Sequence, residues 1–362
     1  MMRRYDIPLR IRLTDLPSPR IWGKAVRLLK TVEVLIFKVL DWLDLYRPQK
    51  SIVVIPSLAT RGFTSLQAVV YNGTQEEVLG FKPRRLMHRI LRGVPDLEAF
   101  ERVRFQVSFS ENTFRSVEAS TETRGFIHLQ LPWQLPWKVP QKSGLKVLPV
   151  GVETLMGCVS LGDYEVVSSP LFFLDEKTRW ILISDIDDTI KDSNIAETTG
   201  LRGMISGLFR GNYYTYQAIE GMAETYQELA EQGVLVVYLT STPYQLSPFL
   251  LKFLRDRKFP EGPVYPRWLG YGRFRHKWRT IHRILGQAEK QKCILVGDSG
   301  EQDLAIYRRI CDNPAFTKRV AGICIRHVPG TRAQKSFHPR ERFYSSVSDL
   351  KSELAKLVYN KV

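Results

Sequence analysis

Uninterrupted apolar runs of membrane-spanning length are missing from this sequence of 362 residues. A bilayer-crossing helix needs about 20 consecutive apolar residues. The most apolar stretch near the start, residues 21–46, is broken by Lys24, Arg27, Lys30, Glu33, Lys38, Asp41 and Asp44. It also lacks the order of a secretory signal, because its apolar part is long, interrupted and without a small-residue cleavage site. Arg3-Arg4 has no apolar core close behind it, which argues against a twin-arginine export signal. Cysteine is scarce. Cys158, Cys293, Cys311 and Cys324 lie far apart and match neither a zinc spacing nor a disulfide framework. Core thiols in a reducing compartment are expected, hence a cytoplasmic protein, with a peripheral place on the inner membrane face open to it. Acidic residues are outnumbered, 37 Asp and Glu against 53 Lys and Arg. The net charge of +16 points to anionic partners: phosphorylated substrates, an anionic membrane surface or nucleic acid. Nucleic acid has the least support, since the basic residues follow no recognisable binding signature.

What is present divides into three parts. Residues 1–50 form a basic N-terminal segment, with eleven Lys or Arg against five acids. Within it, residues 20–46 read as an amphipathic helix stopped by Pro48, with Lys24, Arg27, Thr31, Lys38 and Asp41 on a polar stripe. Such a helix packs on its own core or a twin subunit, or lies in a membrane interface with Trp22 and Trp42 as anchors. Residues 51–173 are β-rich. In RVRFQVSF, Val103, Phe105, Val107 and Phe109 alternate with polar residues, and GFIHLQLP repeats the pattern with Ile127, Leu129 and Leu131. A small antiparallel β-sandwich is expected there, with no catalytic constellation. From 178 to 362 the apolar runs RWILISDID, GVLVVYLTST and KCILVGDSG alternate with helical segments, the pattern of a parallel α/β sheet. This spacing puts Asp185, Thr240 and Asp298 at the carboxyl ends of their strands, where open parallel sheets bind ligands.

At the first of those ends stands a concentration of acid: Asp185, Asp187 and Asp188 within four residues. Clustered carboxylates repel one another unless protonated or bridged by a cation, and a hard ion such as Mg²⁺ takes oxygen ligands. Asp298 adds a carboxylate from a separate strand end, with Asp303 close behind. Thr240 offers a hydroxyl and Lys277 an ammonium. Nucleophile, metal, acid/base and positive charge together suit a phosphoryl group.

The order DxDxT (Asp185 to Thr189), a strand ending in Thr240, then Lys277, then GDxxxxD (Gly297 to Asp303) resembles the haloacid dehalogenase superfamily of phosphohydrolases. More narrowly, SDIDDTIKDSNI, LTSTPYQLSPFL and VGDSGEQDLAIY resemble the actin-patch-associated phosphatidate phosphatase family, most closely over residues 180–330. The resemblance implies a Rossmann-like parallel sheet. It implies that Asp185 attacks phosphorus and becomes an aspartyl-phosphate, while Asp187 protonates the leaving alkoxide and then deprotonates water. It implies Mg²⁺ held by Asp185 and Asp298 with the backbone carbonyl of Asp187. Asp303 positions Lys277 or a metal-bound water, or caps a helix. Thr240 contacts a phosphoryl oxygen and Lys277 neutralises charge. Asp188 and Thr189 are expected to shape the turn. The family usually has Trp where this chain has Tyr244, a departure expected to bear on substrate choice.

Caps of this superfamily sit between the first and second motifs or between the second and third. Neither gap here, Thr189 to Gly233 or Ser241 to His276, holds a full cap domain, and residues 198–214 form at most a small flap. An open site suits a bulky substrate presented from a surface. Arg255, Arg257, Lys258, Arg267, Arg273, Arg275, Arg279 and Arg283 follow in the sequence, either as a membrane-facing patch or as a solvated basic face. The leading expectation is a Mg²⁺-dependent phosphatase acting on phosphatidate. The alternatives are the same chemistry on a soluble phosphate or phosphoprotein, and a basic binding module with a residual site.

Overall fold

The computed structural model describes residues 50–60, 62–72, 102–110, 113–121, 125–132, 141–142, 145–148, 150–154, 164–167, 169–174, 177–192, 217–267, 272–288, 290–300, 302–331 and 336–359. The amphipathic helix of residues 20–46 and the flap of residues 198–214 lie outside them. Gln49–Val362 forms one compact unit. Among the described residues, no helix is long and apolar enough to cross a membrane.

The first part of this unit is built from β1 (Lys50–Ile55), β2 (Ser57–Thr60), β3 (Phe63–Asn72), β4 (Arg102–Ser110), β5 (Thr113–Ser120), β6 (Phe126–Leu131), β7 (Gln141–Lys142), β8 (Leu145–Leu148), β9 (Val150–Thr154), β10 (Tyr164–Val167) and β11 (Leu171–Phe173). Eight strands form one sheet, ordered β10-β1-β3-β2-β11-β8-β7 with β6 also paired to β3, and β5-β4-β9 form a second. Pro56, which cannot donate to a ladder, separates β1 from β2. Side chains on a strand alternate between faces. Here the alternation divides the residues between two cores. Ile52, Val54, Ala68, Val70 and Ile127 pack with Val103, Phe105 and Val107 of β4. Their neighbours Val53, Ile55, Val69, Tyr71 and Phe126 point the other way, into a core shared with the second half of the chain.

That second half holds β12 (Trp180–Asp185), β13 (Lys191–Asp192), β14 (Gln217–Ala218), α1 (Met222–Glu231), β15 (Val234–Pro243), α2 (Ser247–Asp256), β16 (Val264–Arg267), α3 (Arg273–Gln287), β17 (Lys292–Asp298), α4 (Asp303–Cys311), β18 (Val320–Arg326), β19 (Glu341–Tyr344) and α5 (Val347–Tyr359). Six strands form an all-parallel sheet, ordered β16-β15-β12-β17-β18-β19. Counted within the sheet, the order is 3-2-1-4-5-6. The direction of winding reverses between β12 and β17, and such a switch point opens a crevice at the carboxyl ends of the strands. Both faces are covered, which explains the near-continuous apolar runs of β12, β15 and β17. The span between Thr240 and Lys277 carries α2 and β16, elements of the core itself.

The two halves are tied along one seam. Val264 N donates to Pro56 O (2.8 Å), Gln67 Nε2 to Val264 O (3.3 Å), and Leu58 N to the Tyr265 hydroxyl (3.3 Å). The Tyr71 hydroxyl donates to Gln245 O (3.1 Å), and the Phe126 ring stacks on Tyr244 with centroids 4.2 Å apart. Tyr244 is fully buried there. Its ring is therefore a packing surface for β6, and the expected contribution to substrate choice is withdrawn.

Candidate active site

Asp185 is the last residue of β12 and Asp298 the last of β17, on the two strands that flank the switch point. Both are buried. The third contribution comes from β15, whose pairing with β16 slips between Leu239 and Pro243. Thr240, Ser241 and Thr242 there face the single residue Pro266. Such an irregularity re-aims side chains at a sheet rim. Thr240 and Thr242, two apart on an extended strand, project to the same side.

Lys277 lies in the first half of α3 and is almost completely buried. A buried ammonium requires anionic partners. Its Nζ sits 2.6 Å from Asp185 Oδ1 and 2.6 Å from Asp303 Oδ1. Asp303 opens α4, where a carboxylate also suits the positive end of the helix dipole. Its other oxygen accepts from Asp298 N (3.4 Å). The capping position of α4 is held by Gln302 without a side-chain cap, so the contact of Asp303 with Lys277 is the one the fold provides. Gly297 is a requirement of this packing. A Cβ there would meet Asp303 Oδ2 at 2.5 Å and Tyr307 Cε2 at 2.9 Å.

Asp185, Asp298 and Asp303 each bring a carboxylate oxygen to within 4.8 Å of the others. Lys277 sets one positive charge among these three negative ones. The excess negative charge and the all-oxygen donor set fit a metal ion, and a hard divalent cation in particular. The Asp187 carboxylate stands outside this cluster. Its Oδ2 accepts from Thr240 Oγ1 (2.8 Å) and Thr242 Oγ1 (3.0 Å), and its Oδ1 pairs with Lys191 Nζ (2.5 Å). Burial pushes the Asp187 carboxyl up, but the Lys191 ammonium and the hydrogen bonds from Lys191, Thr240 and Thr242 outweigh it and hold the group at about 2. Asp187 is therefore ionised in this arrangement.

The turn between these acids is closely held. Ile186 O accepts from Thr189 N, Ile190 N and Lys191 N, and Asp188 takes a positive φ of 56°. Asp188 O accepts from Arg326 Nη1 (2.8 Å). Thr189 Oγ1 donates to Asp185 Oδ2 (3.3 Å), so this residue reaches the first aspartate as well as the turn. Lys191, Thr242 and Arg326 escaped the sequence reading. Thr242 could have been found from its two-residue spacing from Thr240. Lys191 and Arg326 depend on a backbone reversal and a strand pairing that no local pattern encodes.

The basic residues divide by position. Arg267 ends β16 and donates to Ser241 O (2.8 Å), and Arg273 and Arg275 open α3, so these three stand at the carboxyl end of the sheet. Arg255 lies in the last turn of α2, with Arg257 and Lys258 just beyond it, and α2 returns the chain to the opposite end. Arg283 Nη1 donates to His128 Nε2 (3.3 Å) across the seam.

Residues 180–327 match the family described as "Phosphatidate phosphatase APP1, catalytic domain". This part of the chain is APP1-like. Over 158 residues the chain is 32% identical to an uncharacterized protein of Schizosaccharomyces pombe, covering 41% of this chain and 25% of that one. Over 169 residues it is 30% identical to phosphatidate phosphatase APP1 of Saccharomyces cerevisiae, covering 44% of this chain and 28% of that one. The chain thus spans about a quarter of the length of these curated relatives. A haloacid dehalogenase family hydrolase from Deinococcus radiodurans, solved with bound phosphate and sodium, is 16% identical. The match covers 50% of this chain and 96% of that one with a TM-score of 0.34, too low to bear on fold or function. The motif residues from Asp185 to Asp303 all lie inside the matched residues.

Proposed function

We propose that this protein is a Mg²⁺-dependent phosphatase that hydrolyses phosphatidate to diacylglycerol and phosphate. The observation that carries this reading is Asp185 held by Lys277 beside Asp298 and Asp303, with a separately held Asp187 across the strand ends. In the first half-reaction, an Asp185 oxygen attacks phosphorus, the bond from phosphorus to the leaving oxygen breaks, and Asp187 gives that oxygen a proton. In the second, water attacks the aspartyl-phosphate, Asp187 takes the proton from the water, and the bond to Asp185 breaks to release phosphate. The ionised Asp187 described above is the form the second half-reaction uses. The anionic phosphoryl group of an arriving substrate raises the affinity of a neighbouring carboxylate for the proton that the first requires. Thr240, now on Asp187, is within the rim from which its hydroxyl can turn to a phosphoryl oxygen. Lys277 offsets charge on Asp185 and on the phosphoryl group. Mg²⁺ would be held by Asp185, Asp298 and Asp303 with the Asp187 backbone carbonyl, and when bound supplies Lewis-acid polarisation of the phosphoryl oxygens.

Phosphatidate as substrate is supported by the APP1-type match and by the short span between the second and third motifs. Arg267, Arg273 and Arg275 on the site's own end, together with the charge of +16, support action at an anionic membrane surface from the cytoplasmic side. The proposed domains are 1–50, 51–173 as a sandwich-like accessory domain, and 178–362 as the phosphatase. The test is phosphate release from phosphatidate in mixed micelles and from soluble monoesters, with and without Mg²⁺, for the wild type and Asp185→Asn. Metal-dependent release that falls at least roughly 10³-fold in Asp185→Asn is expected, the scale of a lost nucleophile. Near-normal turnover in that variant would falsify the assignment. A preference for soluble esters moves the substrate to a free phosphate, and no release from any ester leaves a binding module.

A further inference from the structure

Asp187, the second aspartate of the first motif, is gripped by a residue that neither the motifs nor the family match assigns. Lys191 opens β13, and its side chain is only 6% exposed, against 17% for Asp187. The chain doubles back to bring the two together. Asp188 at φ 56° reverses direction, Asp188 N donates to Lys191 O (2.9 Å), and Lys191 N donates to Ile186 O (3.0 Å). Lys191 pairs with Ala218 in the β13–β14 ladder, which fixes its backbone from the far side. From β18, Arg326 holds the crest of the same turn through Asp188 O.

The consequence falls on one carboxylate. Lys191 takes Oδ1 of Asp187, and Oδ2 is left toward Thr240 and Thr242 at the rim of β15. A carboxylate free to rotate about two bonds presents either oxygen in several directions. One paired with Lys191 through Oδ1 and held by two hydroxyls through Oδ2 has a fixed orientation with Oδ2 on the rim side, and proton transfer depends on that geometry. We propose that Lys191 is a positioning residue for Asp187, fixing Oδ2 as the oxygen that exchanges a proton with the leaving group and with water. The inference rests on the phosphatase reading above and adds a residue to it.

A purely structural ion pair would affect all substrates alike. A positioning role affects those whose leaving group needs a proton, since a good leaving group departs without one. The experiment compares phosphatidate in mixed micelles with p-nitrophenyl phosphate, using the full chain with Mg²⁺. Lys191→Met should lower kcat on phosphatidate by about 10²-fold, the lower end of a lost general acid or base, and by at least about tenfold more than on the aryl ester. Removing one partner of a buried pair also threatens folding. The double variant Asp187→Asn, Lys191→Met removes both charges of this pair and carries the test on its own. It should match Asp187→Asn within about threefold on phosphatidate, the non-additivity of residues that act through one another. Equal losses on both esters, or a further large loss in the double variant, overturn the positioning role while the phosphatase stands. Absence of turnover of either ester by the wild type overturns the phosphatase reading, and Lys191 with it.

Discussion

The two large sheets use burial for different ends. The parallel sheet is covered on both faces and gathers its polar groups at one end, with Asp185 and Asp298 on two strand ends and Thr240 and Thr242 on Asp187. The eight-stranded sheet is also covered on both faces along β1, β3 and β6, but its central strands carry no such cluster at either end among the described residues. A sheet with one face on its own core and the other on a neighbour has little surface left for a ligand. Its polar contacts from Pro56, Leu58, Gln67 and Tyr71 go to β16 and to the segment after Thr242, and that from His128 goes to Arg283 of α3. These contacts support reading the strands before residue 174 as a scaffold for the rim of the site. Their loss should be felt as loss of structure and only then as loss of chemistry.

Four measurements would break or sharpen this contrast. The largest effect is expected from residues 178–362 expressed alone. Tyr244, Leu250, Phe253 and Leu254 would lose the apolar partners Val53, Ile55, Val69 and Phe126. The fragment should be insoluble or lack near-ultraviolet dichroism, and a well-folded fragment that turns over an aryl phosphate would end the scaffold interpretation. Next is Phe126→Ala, which removes the ring stacked on Tyr244 and should cost about 3–5 kcal/mol in denaturant titration. A smaller effect depends on pH. Burial, and then the Arg283 charge, hold His128 down at about 4, well below an ordinary imidazole. The unfolded chain therefore binds the proton first, and stability that is complete above about pH 6.5 should fall as pH drops toward 4. His128→Gln should flatten that part of the stability profile, and an unchanged slope would mean that His128 is not depressed at the seam. The smallest effect is expected of Tyr71→Phe, which deletes the hydroxyl on Gln245 O at about 1 kcal/mol. A loss of turnover without loss of stability in that variant would mean that the seam reaches the chemistry more directly than packing requires.

The parallel sheet was legible in β12, β15 and β17, whose cores are near-continuous apolar runs and two of which end in an acid. The regular alternation of Val103, Phe105 and Val107 was equally legible and places them in one core. What alternation could not reveal is the second core. In IVVI, residues 52–55, every residue is apolar, so no period separates Ile52 and Val54 from Val53 and Ile55, and the run does not disclose that it serves two partners. The motif carboxylates were found by spacing, but their supports were not. Lys191 depends on the left-handed turn at Asp188, and Arg326 reaches Asp188 because β18 pairs with β17 from far along the chain. Tyr244 failed for a related reason. Its place beside the second motif suggested contact with substrate, whereas the ring is turned into the seam.

Gly297 sets a limit on how this sequence can vary. Two buried acids, Asp298 and Asp303, stand five residues apart on a strand end and a helix start, and the space between them exists because position 297 has no side chain. Even the methyl group of alanine would press on the oxygen that accepts from Asp298 N and displace the carboxylate that Lys277 shares with Asp185. The exchange of one hydrogen for a methyl group at a residue with no chemistry of its own would thus reach the proposed nucleophile through two intervening side chains. An apparently blank position carries a packing constraint of its own.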